Sequence, residues 1–354
     1  MYLKKTKVAV IGCGTIARKQ HIPNYAKHPL AEIKYVVDSR IELAEEMAGT
    51  FNVPFALADY KAVLKDDEVD AVSICTPNDT HAPLSIEFLK AGKHVLCEKP
   101  AATHAALAAE MKRTADEFGR ILNIGVVNRF HTAVNKIKQM VERGELGEIY
   151  HVNCSFRAHR SIPGLGGPFT TKSKSGGGVL IDWGVHFLDL IFYILNQPKV
   201  STVSGQTYGK LGKRIEDYTY INMWAGPPNL AGTCDVEDFV TGLIRTSRGT
   251  ISLNGAWAQN IGEDAMFVEF LGDKAGIKWQ YGGNFKMYTS ADGMLYEIVP
   301  AFQIQDMFYE EIDDFIQSTR NGTKSRANID YTLLATEVIE AIYRSSEFHS
   351  EIRM

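Results

Sequence analysis

The chain has 354 residues, 45% of them hydrophobic and 23% charged, with a formal net charge of −4. Length alone predicts two domains of roughly 150 residues each, and the mild acidity argues against nucleic acid or an anionic membrane as a partner, since both select basic surfaces. The five cysteines (Cys13, Cys75, Cys97, Cys154 and Cys234) are odd in number and show no Cys-x-x-Cys spacing, so neither a disulfide framework nor a cysteine-based zinc site is predicted.

The chain opens on a basic stretch, Met1–Lys7, and the apolar run Val8–Ile11 that follows is too short for a signal sequence and meets Gly12 and Gly14 at once. The longest later apolar run, Phe187–Leu195, is interrupted by Asp189 and is well short of the ~20 residues of a membrane span. The expectation is a cytoplasmic protein. Through residue 125, β-branched runs (Lys7–Ile11, Ile33–Asp38, Ala71–Cys75, His94–Cys97, Ile121–Ile124) alternate with helical stretches (Ile16–Lys27, Ile41–Phe51, Tyr60–Lys65, Ala82–Ala91, His104–Phe118). Strand–helix alternation with nearly all-apolar strands predicts an α/β domain: a parallel sheet covered by helices on both faces.

The pattern changes after Gly125. A helix is predicted over Thr132–Arg143. Strands then follow at short spacing: Glu148–Phe156, Val200–Tyr208, Tyr218–Trp224, Asp238–Thr246, Thr250–Trp257, Ala265–Leu271, Gly276–Tyr281 and Phe285–Thr289. Several alternate in period 2, as half-exposed antiparallel strands do. An apolar helix, Val179–Leu195, lies among them, and helices near Gln303–Thr319 and Asp330–Ser346 end the chain. The predicted domains are 1–126 and 127–354.

The turn Gly12-Cys-Gly14-Thr15-Ile16-Ala17 follows the first strand and opens the first helix. Gly12 permits a tight turn, Gly14 lets a pyrophosphate approach backbone N–H groups at the helix N-terminus, and Ala17 allows close helix–strand packing. The second strand ends in Asp38, placed to accept hydrogen bonds from an adenosine ribose. The alternative is a plain βα turn with a surface aspartate. Asp38 points to NAD, because a carboxylate there repels a 2′-phosphate, whereas Arg40, two residues on, could pair with that phosphate and admit NADP. Ser39 lies between them. The loop Thr76-Pro77-Asn78-Asp-Thr80-His81 follows the strand ending at Cys75 and so belongs to the carboxyl edge of the sheet, where cofactors bind. Thr76, Pro77, Asn78 and His81 are cofactor candidates there, and Asn78 or Thr80 is also a candidate helix N-cap.

Glu98-Lys99-Pro100 ends another strand, with Pro100 biasing Lys99 to an extended backbone that carries a cation toward the nicotinamide side of the cleft. Glu98, Lys99 and Asn128 complete the cofactor-side candidates. Further along, Gly176-Gly-Gly leads into a helix on which Asp182, His186 and Asp189 share one face at i, i+4 and i+7. A carboxylate and an imidazole on so apolar a helix are costly to bury without purpose. A structural Asp–His pair and a metal site are the competing readings, although no cluster of further ligands accompanies the pair.

Taken in order, the glycine turn, Thr-Pro-Asn-x-x-His, Glu-Lys-Pro, Arg129-Phe130, Gly144-Glu-Leu-Gly-Glu-Ile and Gly-Gly-Gly-x-x-x-Asp-x-Gly-x-His-x-x-Asp resemble the glucose–fructose oxidoreductase/inositol dehydrogenase (Gfo/Idh/MocA) family over essentially the whole chain. The resemblance implies an N-terminal NAD(P)-binding Rossmann domain and a C-terminal α/β domain with a large open, mainly antiparallel sheet. That second domain would bind substrate and build a homodimer or homotetramer through its sheet. It further implies that Lys99, Asp182 and His186 match the family's catalytic lysine, acidic residue and histidine. The expected reaction interconverts a secondary alcohol and a ketone on a sugar, sugar derivative or cyclitol. In it His186 serves as acid/base and Lys99 supplies the positive charge, so that no metal is called for. Arg129, His159, Arg160, Trp183 and Tyr281 are the substrate candidates. Two other readings use the same motifs: an NAD-dependent glycoside hydrolase working through transient oxidation, and a non-catalytic NAD(H) sensor.

Overall fold

The structure is a computed structural model that describes residues 4–223 and 225–354. It divides into two compact units, one built from residues up to Phe130 with Gln305–Leu333, the other from His131–Ile304 with Leu334–Met354. The sequence reading carries everything after residue 126 into the second domain. In the structure the segment 305–333 returns to the first.

In the first unit, β1 (Thr6–Ile11), β2 (Ala31–Val37), β3 (Phe55–Leu57), β4 (Ala71–Ile74), β5 (His94–Glu98) and β6 (Leu122–Gly125) form a parallel sheet in the order β3-β2-β1-β4-β5-β6. This is the doubly wound order, and its direction reverses between β1 and β4, which opens a crevice at their carboxyl ends. Alternate side chains of β1 feed two cores. Val8 and Val10 pack with α1 (Ile22–Lys27) and α2 (Ile41–Phe51), whereas Ala9 and Ile11 join the core lined by α4 (Asn78–Lys90) and α5 (Ala105–Glu117). A short α3 (Lys61–Leu64) lies between β3 and β4. The returning helix α9 (Met307–Asn321) adds Ile312, Phe315 and Ile316 to the core with Val8 and Val10. Its start is set by Asp306, whose carboxylate accepts the N–H groups of Phe308 and Tyr309.

In the second unit, nine strands pair in the order β14-β13-β12-β11-β7-β10-β9-β8-β15: β7 (Ile149–Arg157), β8 (Val200–Tyr208), β9 (Phe239–Thr246), β10 (Gly249–Ala256), β11 (Ala265–Gly272), β12 (Ala275–Gln280), β13 (Phe285–Ala291), β14 (Met294–Ile298) and β15 (Ile352–Arg353). β7 and β10 run parallel, and the other pairs are antiparallel. The inward side chains pack against α6 (Thr132–Glu142), α8 (Val185–Ile194) and the second part of α10 (Ile329–Phe348). On the opposite face a polar ladder runs across the strands: Asn153 donates to Glu269, which pairs with Lys278, and His151 meets the hydroxyls of Thr250 and Ser252. The helical stretch 172–194, which includes α7 (Lys172–Ser175), is apolar and long enough for a membrane span. It is 83% buried within this unit, where it forms the core.

Several sequence expectations shift. Residues 218–223 form no strand, and Trp224 lies outside the described residues. Tyr218 instead meets Tyr220 edge-on at 4.7 Å, and its hydroxyl accepts the Ile162 N–H. The Tyr-x-Tyr alternation imitates a strand without a neighbour to pair with. The helix expected from Ala82 begins at Asn78, with Pro77 at its N-cap position and no side-chain cap, and Pro83 is carried inside it. The strands β3, β14 and β15 were not anticipated.

Candidate functional site

In the first unit, the candidate cofactor-binding residues begin where β1 ends. Gly12 has φ +93°, and a Cβ there would stand 2.5 Å from the Cys75 carbonyl oxygen, a backbone atom with no freedom to retreat. A Cβ on Gly14 would meet nothing within 4 Å, so the space that a pyrophosphate needs is open. Thr15 is exposed at the helix start, Ile16 is half-buried, and Ala17 is fully buried against the sheet. Burial pushes the Cys13 thiol, inside this turn, up to about 12.

Asp38 is bound to the same turn. One carboxylate oxygen accepts the Cys13 N–H at 2.9 Å and the other accepts the Arg40 N–H at 2.9 Å. Ser39 is exposed, and so is the Arg40 side chain, whose Nε lies 3.6 Å from the Asp38 carboxylate. The residues therefore fit a dinucleotide: a glycine turn opening a helix, an unfilled approach at Gly14, and an acidic side chain fixed beside it.

At the ends of β4 and β5 the loops are tied together from within. Thr76 and Asn78 are half-buried and Pro77 is exposed, but His81 is 1% exposed. Its Nδ1 lies 2.7 Å from the Pro100 carbonyl oxygen and its Nε2 2.9 Å from that of Thr76. Carbonyls only accept, so both ring nitrogens must donate, and the ring is an imidazolium. Burial alone would lower its pKa. The Cys97 sulfur and the two carbonyls outweigh burial and push it up to about 9. His81 therefore fastens one βα loop to the next.

Glu98, at the end of β5, is 8% exposed. One oxygen meets Nε2 of the buried His21 at 2.9 Å and the other accepts the Lys99 N–H at 3.1 Å. The His21 Nδ1 meets the Ser73 hydroxyl, which also bonds to Tyr25. Burial works to raise the Glu98 pKa, but the hydrogen bond and charge of His21, with Lys99 and His81, outweigh it and hold the carboxyl below the usual glutamate range. Sequence reasoning missed His21, Ser73 and Tyr25, because hydroxyls and a histidine scattered over 50 residues leave no linear signal. Lys99 itself is half-buried, and the Lys99–Pro100 peptide is cis. Asn128 is buried in the 3₁₀ turn Val127–Phe130.

Arg129 is 1% exposed, and its guanidinium donates to the carbonyls of Arg326 (2.6 Å) and Tyr331. It braces the returning segment 305–333. An arginine's reach is invisible in sequence.

The second unit holds the acid/base candidates. The helix carrying them starts with a π turn, Leu180–Gly184, and continues as α8. Phe187, Leu188, Leu190, Ile191, Phe192 and Ile194 are each at most 2% exposed, and full burial of such a side chain stabilises by about 1.5–3 kcal/mol. Asp182 is 5% exposed and Asp189 1%, whereas His186 is half-buried. Single-turn π bulges recur at functional sites because they re-aim the side chains they carry. Phe187 stacks on Phe156 at 5.1 Å and on Tyr281 at 4.9 Å, and Trp183 packs on the same core.

His159 is half-buried, with its backbone N–H on Asp264. Arg160 donates to the carbonyls of His159 and Gln259 and to the Asn260 side chain. It lines a pocket of about 220 Å³ together with Arg214, Asp217, Tyr218 and Asn260.

A doubly wound domain with this glycine turn, followed by an α/β domain with a large open sheet, defines a two-domain NAD(P)-binding oxidoreductase. The sequence matches "Oxidoreductase family, NAD-binding Rossmann fold" over residues 6–126 and "GFO/IDH/MocA C-terminal domain" over residues 134–278. The chain belongs to the Gfo/Idh/MocA oxidoreductase family. It is 31% identical to D-glucoside 3-dehydrogenase of Escherichia coli K12, over 98% of this chain and 97% of that one. It is 25% identical to scyllo-inositol 2-dehydrogenase (NAD(+)) of Bacillus subtilis, over 93% and 91%. Levoglucosan dehydrogenase in complex with NADH shares the fold, with a TM-score of 0.84 at 21% identity over 99% of each chain.

Proposed function

We propose that this protein interconverts a secondary alcohol and a ketone on a sugar, sugar derivative or cyclitol, with NAD as cofactor. One observation carries the reading: the Asp182–His186 pair stands on an otherwise core-filling helix of a chain 31% identical along 98% of its length to a D-glucoside 3-dehydrogenase. That relative's name supports a pyranoside ring hydroxyl as the first substrate class to assay. Gly12, Gly14, Thr15, Ile16, Asp38, Ser39, Thr76, Asn78 and Asn128 would hold the dinucleotide. Arg40 turned onto the Asp38 carboxylate supports NAD over NADP, since that guanidinium is already paired.

The bound nicotinamide supplies the hydride acceptor in oxidation and the donor in reduction. His186 takes the hydroxyl proton in oxidation and returns it in reduction, because imidazole titrates near neutral pH. Lys99 donates a hydrogen bond to the substrate oxygen and stabilises negative charge as it develops there. Asp182, one helical turn before His186, orients the imidazole or accepts from a neighbouring hydroxyl. His159, Trp183 and Tyr281 are the substrate-contact candidates of the second unit. The half-exposed polar face of the nine-stranded sheet is assigned as the interface of a homodimer or homotetramer.

The test is a panel of methyl glucopyranosides and inositols assayed for NADH and NADPH formation. Reduction of NAD by at least one is expected. Binding of NADH with no turnover on any of them would overturn the reading.

A further inference from the structure

Two of the three glycines before the histidine helix, Gly177 and Gly178, have a structural cause within the second unit. The first N–H groups of a helix have no partner inside it. Here three consecutive ones go to a single residue, Glu237, at the entry to β9. Gly178 N–H donates to one carboxylate oxygen at 2.9 Å, Leu180 N–H to the other at 3.0 Å, and Val179 N–H to the Glu237 backbone carbonyl at 3.2 Å. The Tyr343 hydroxyl from α10 donates to the same carboxylate at 2.7 Å. Glu237 is 8% exposed. Burial pushes its carboxyl up, against the opposing hydrogen bonds of Tyr343 and the two amides.

The glycines make room for this clamp. A Cβ on Gly177 would stand 2.1 Å from the Tyr343 hydroxyl oxygen, and a Cβ on Gly178 1.9 Å from the Glu237 carbonyl oxygen. The first helical bond, from Asp182 N–H to the Gly178 carbonyl at 3.0 Å, starts at the clamped residue. The neighbouring Asp238 fixes a different segment, accepting the N–H groups of Lys210, Leu211 and Gly212.

We propose that Glu237 and Tyr343 are positioning residues: one buried carboxylate, steadied by a phenol, fixes where the helix begins and thereby the rotation and height at which Asp182 and His186 are presented. The inference rests on the assignment of Asp182 and His186 to the proton-transfer chemistry. A carboxylate suits the task because it accepts on both oxygens. A glutamine amide at the same place would turn an N–H₂ group toward one of the helix amides.

The test uses the full chain with Glu237→Gln and, as the milder change, Tyr343→Phe. Amide hydrogen exchange is read over 178–194, turnover with methyl β-D-glucopyranoside and NAD, and NADH affinity by fluorescence. In Glu237→Gln, exchange at 178–182 rises by at least about tenfold, the scale of one lost charge-assisted hydrogen bond. The kcat falls by a similar factor, while NADH affinity stays within about twofold of wild type. Tyr343→Phe shifts both readouts in the same direction by less, and it decides the matter if Glu237→Gln does not fold. Unchanged exchange in both variants overturns the proposal, as does faster exchange with wild-type kcat. If the wild type does not turn over this pyranoside, the functional reading is what fails there, and exchange alone decides whether Glu237 sets the helix.

Discussion

Replacing His81 by phenylalanine removes two donors at once and leaves the Thr76 and Pro100 carbonyls facing an apolar ring. A hydrogen bond involving a charged group contributes about 1.5–3 kcal/mol, so the pair predicts a loss of roughly 3–6 kcal/mol from the first unit. The pH dependence gives a second route to the magnitude. A pKa moved from 6.5 to about 9 on folding corresponds to about 3 kcal/mol of stability. The folded-state value is the raised one, so this stability is fully present below pH 6.5 and is lost as the pH rises through 9. Urea unfolding of the wild type should therefore weaken by about 3 kcal/mol more than that of His81→Phe across this window. The most direct assay is ¹⁵N NMR of the imidazole at neutral pH, with protons expected on both ring nitrogens. A single neutral tautomer there, or parallel pH profiles for wild type and variant, would refute the reasoning.

Three further outcomes follow from the geometry. Gly12→Ala places a methyl 2.5 Å from a backbone oxygen at φ +93°, so the turn must open, and NADH affinity measured by fluorescence should fall by at least about a hundredfold with a folded second unit. Asp38→Ser removes the carboxylate and releases Arg40, so the ratio of kcat/KM for NADP over NAD should rise by at least about tenfold; an unchanged ratio would mean that Asp38 does not read the ribose. Phe187→Ala leaves a cavity between Phe156 and Tyr281 and should cost about 3–5 kcal/mol in thermal or denaturant unfolding.

The parts legible in the sequence are those where the backbone dictates the residue. Gly12 needs a positive φ and Asp38 must sit one strand away, so spacing alone locates the turn, and the all-apolar strands reveal a sheet covered on both faces. Side-chain reach leaves no such trace. Arg129 donates to two carbonyls 197 and 202 residues further along the chain, and His81 ties two βα loops together from a buried position. The return of 305–333 to the first unit was hidden because an amphipathic helix such as α9 fits any apolar surface, and nothing in its own pattern names the core it joins. Glu237 was overlooked for the opposite reason. An acidic pair before a strand reads as solvated surface, yet each of Glu237 and Asp238 binds a different set of amides.

The proposed action of Lys99 and His186 on a sugar or cyclitol hydroxyl decides the function. It is tested most directly by following NADH formation by the wild type, Lys99→Met and His186→Ala on the same pyranoside or inositol, with NADH binding measured alongside. Wild-type turnover is expected, with a kcat lower by at least about a thousandfold in each variant and NADH affinity unchanged in His186→Ala. Wild-type turnover that survives either substitution would contradict it.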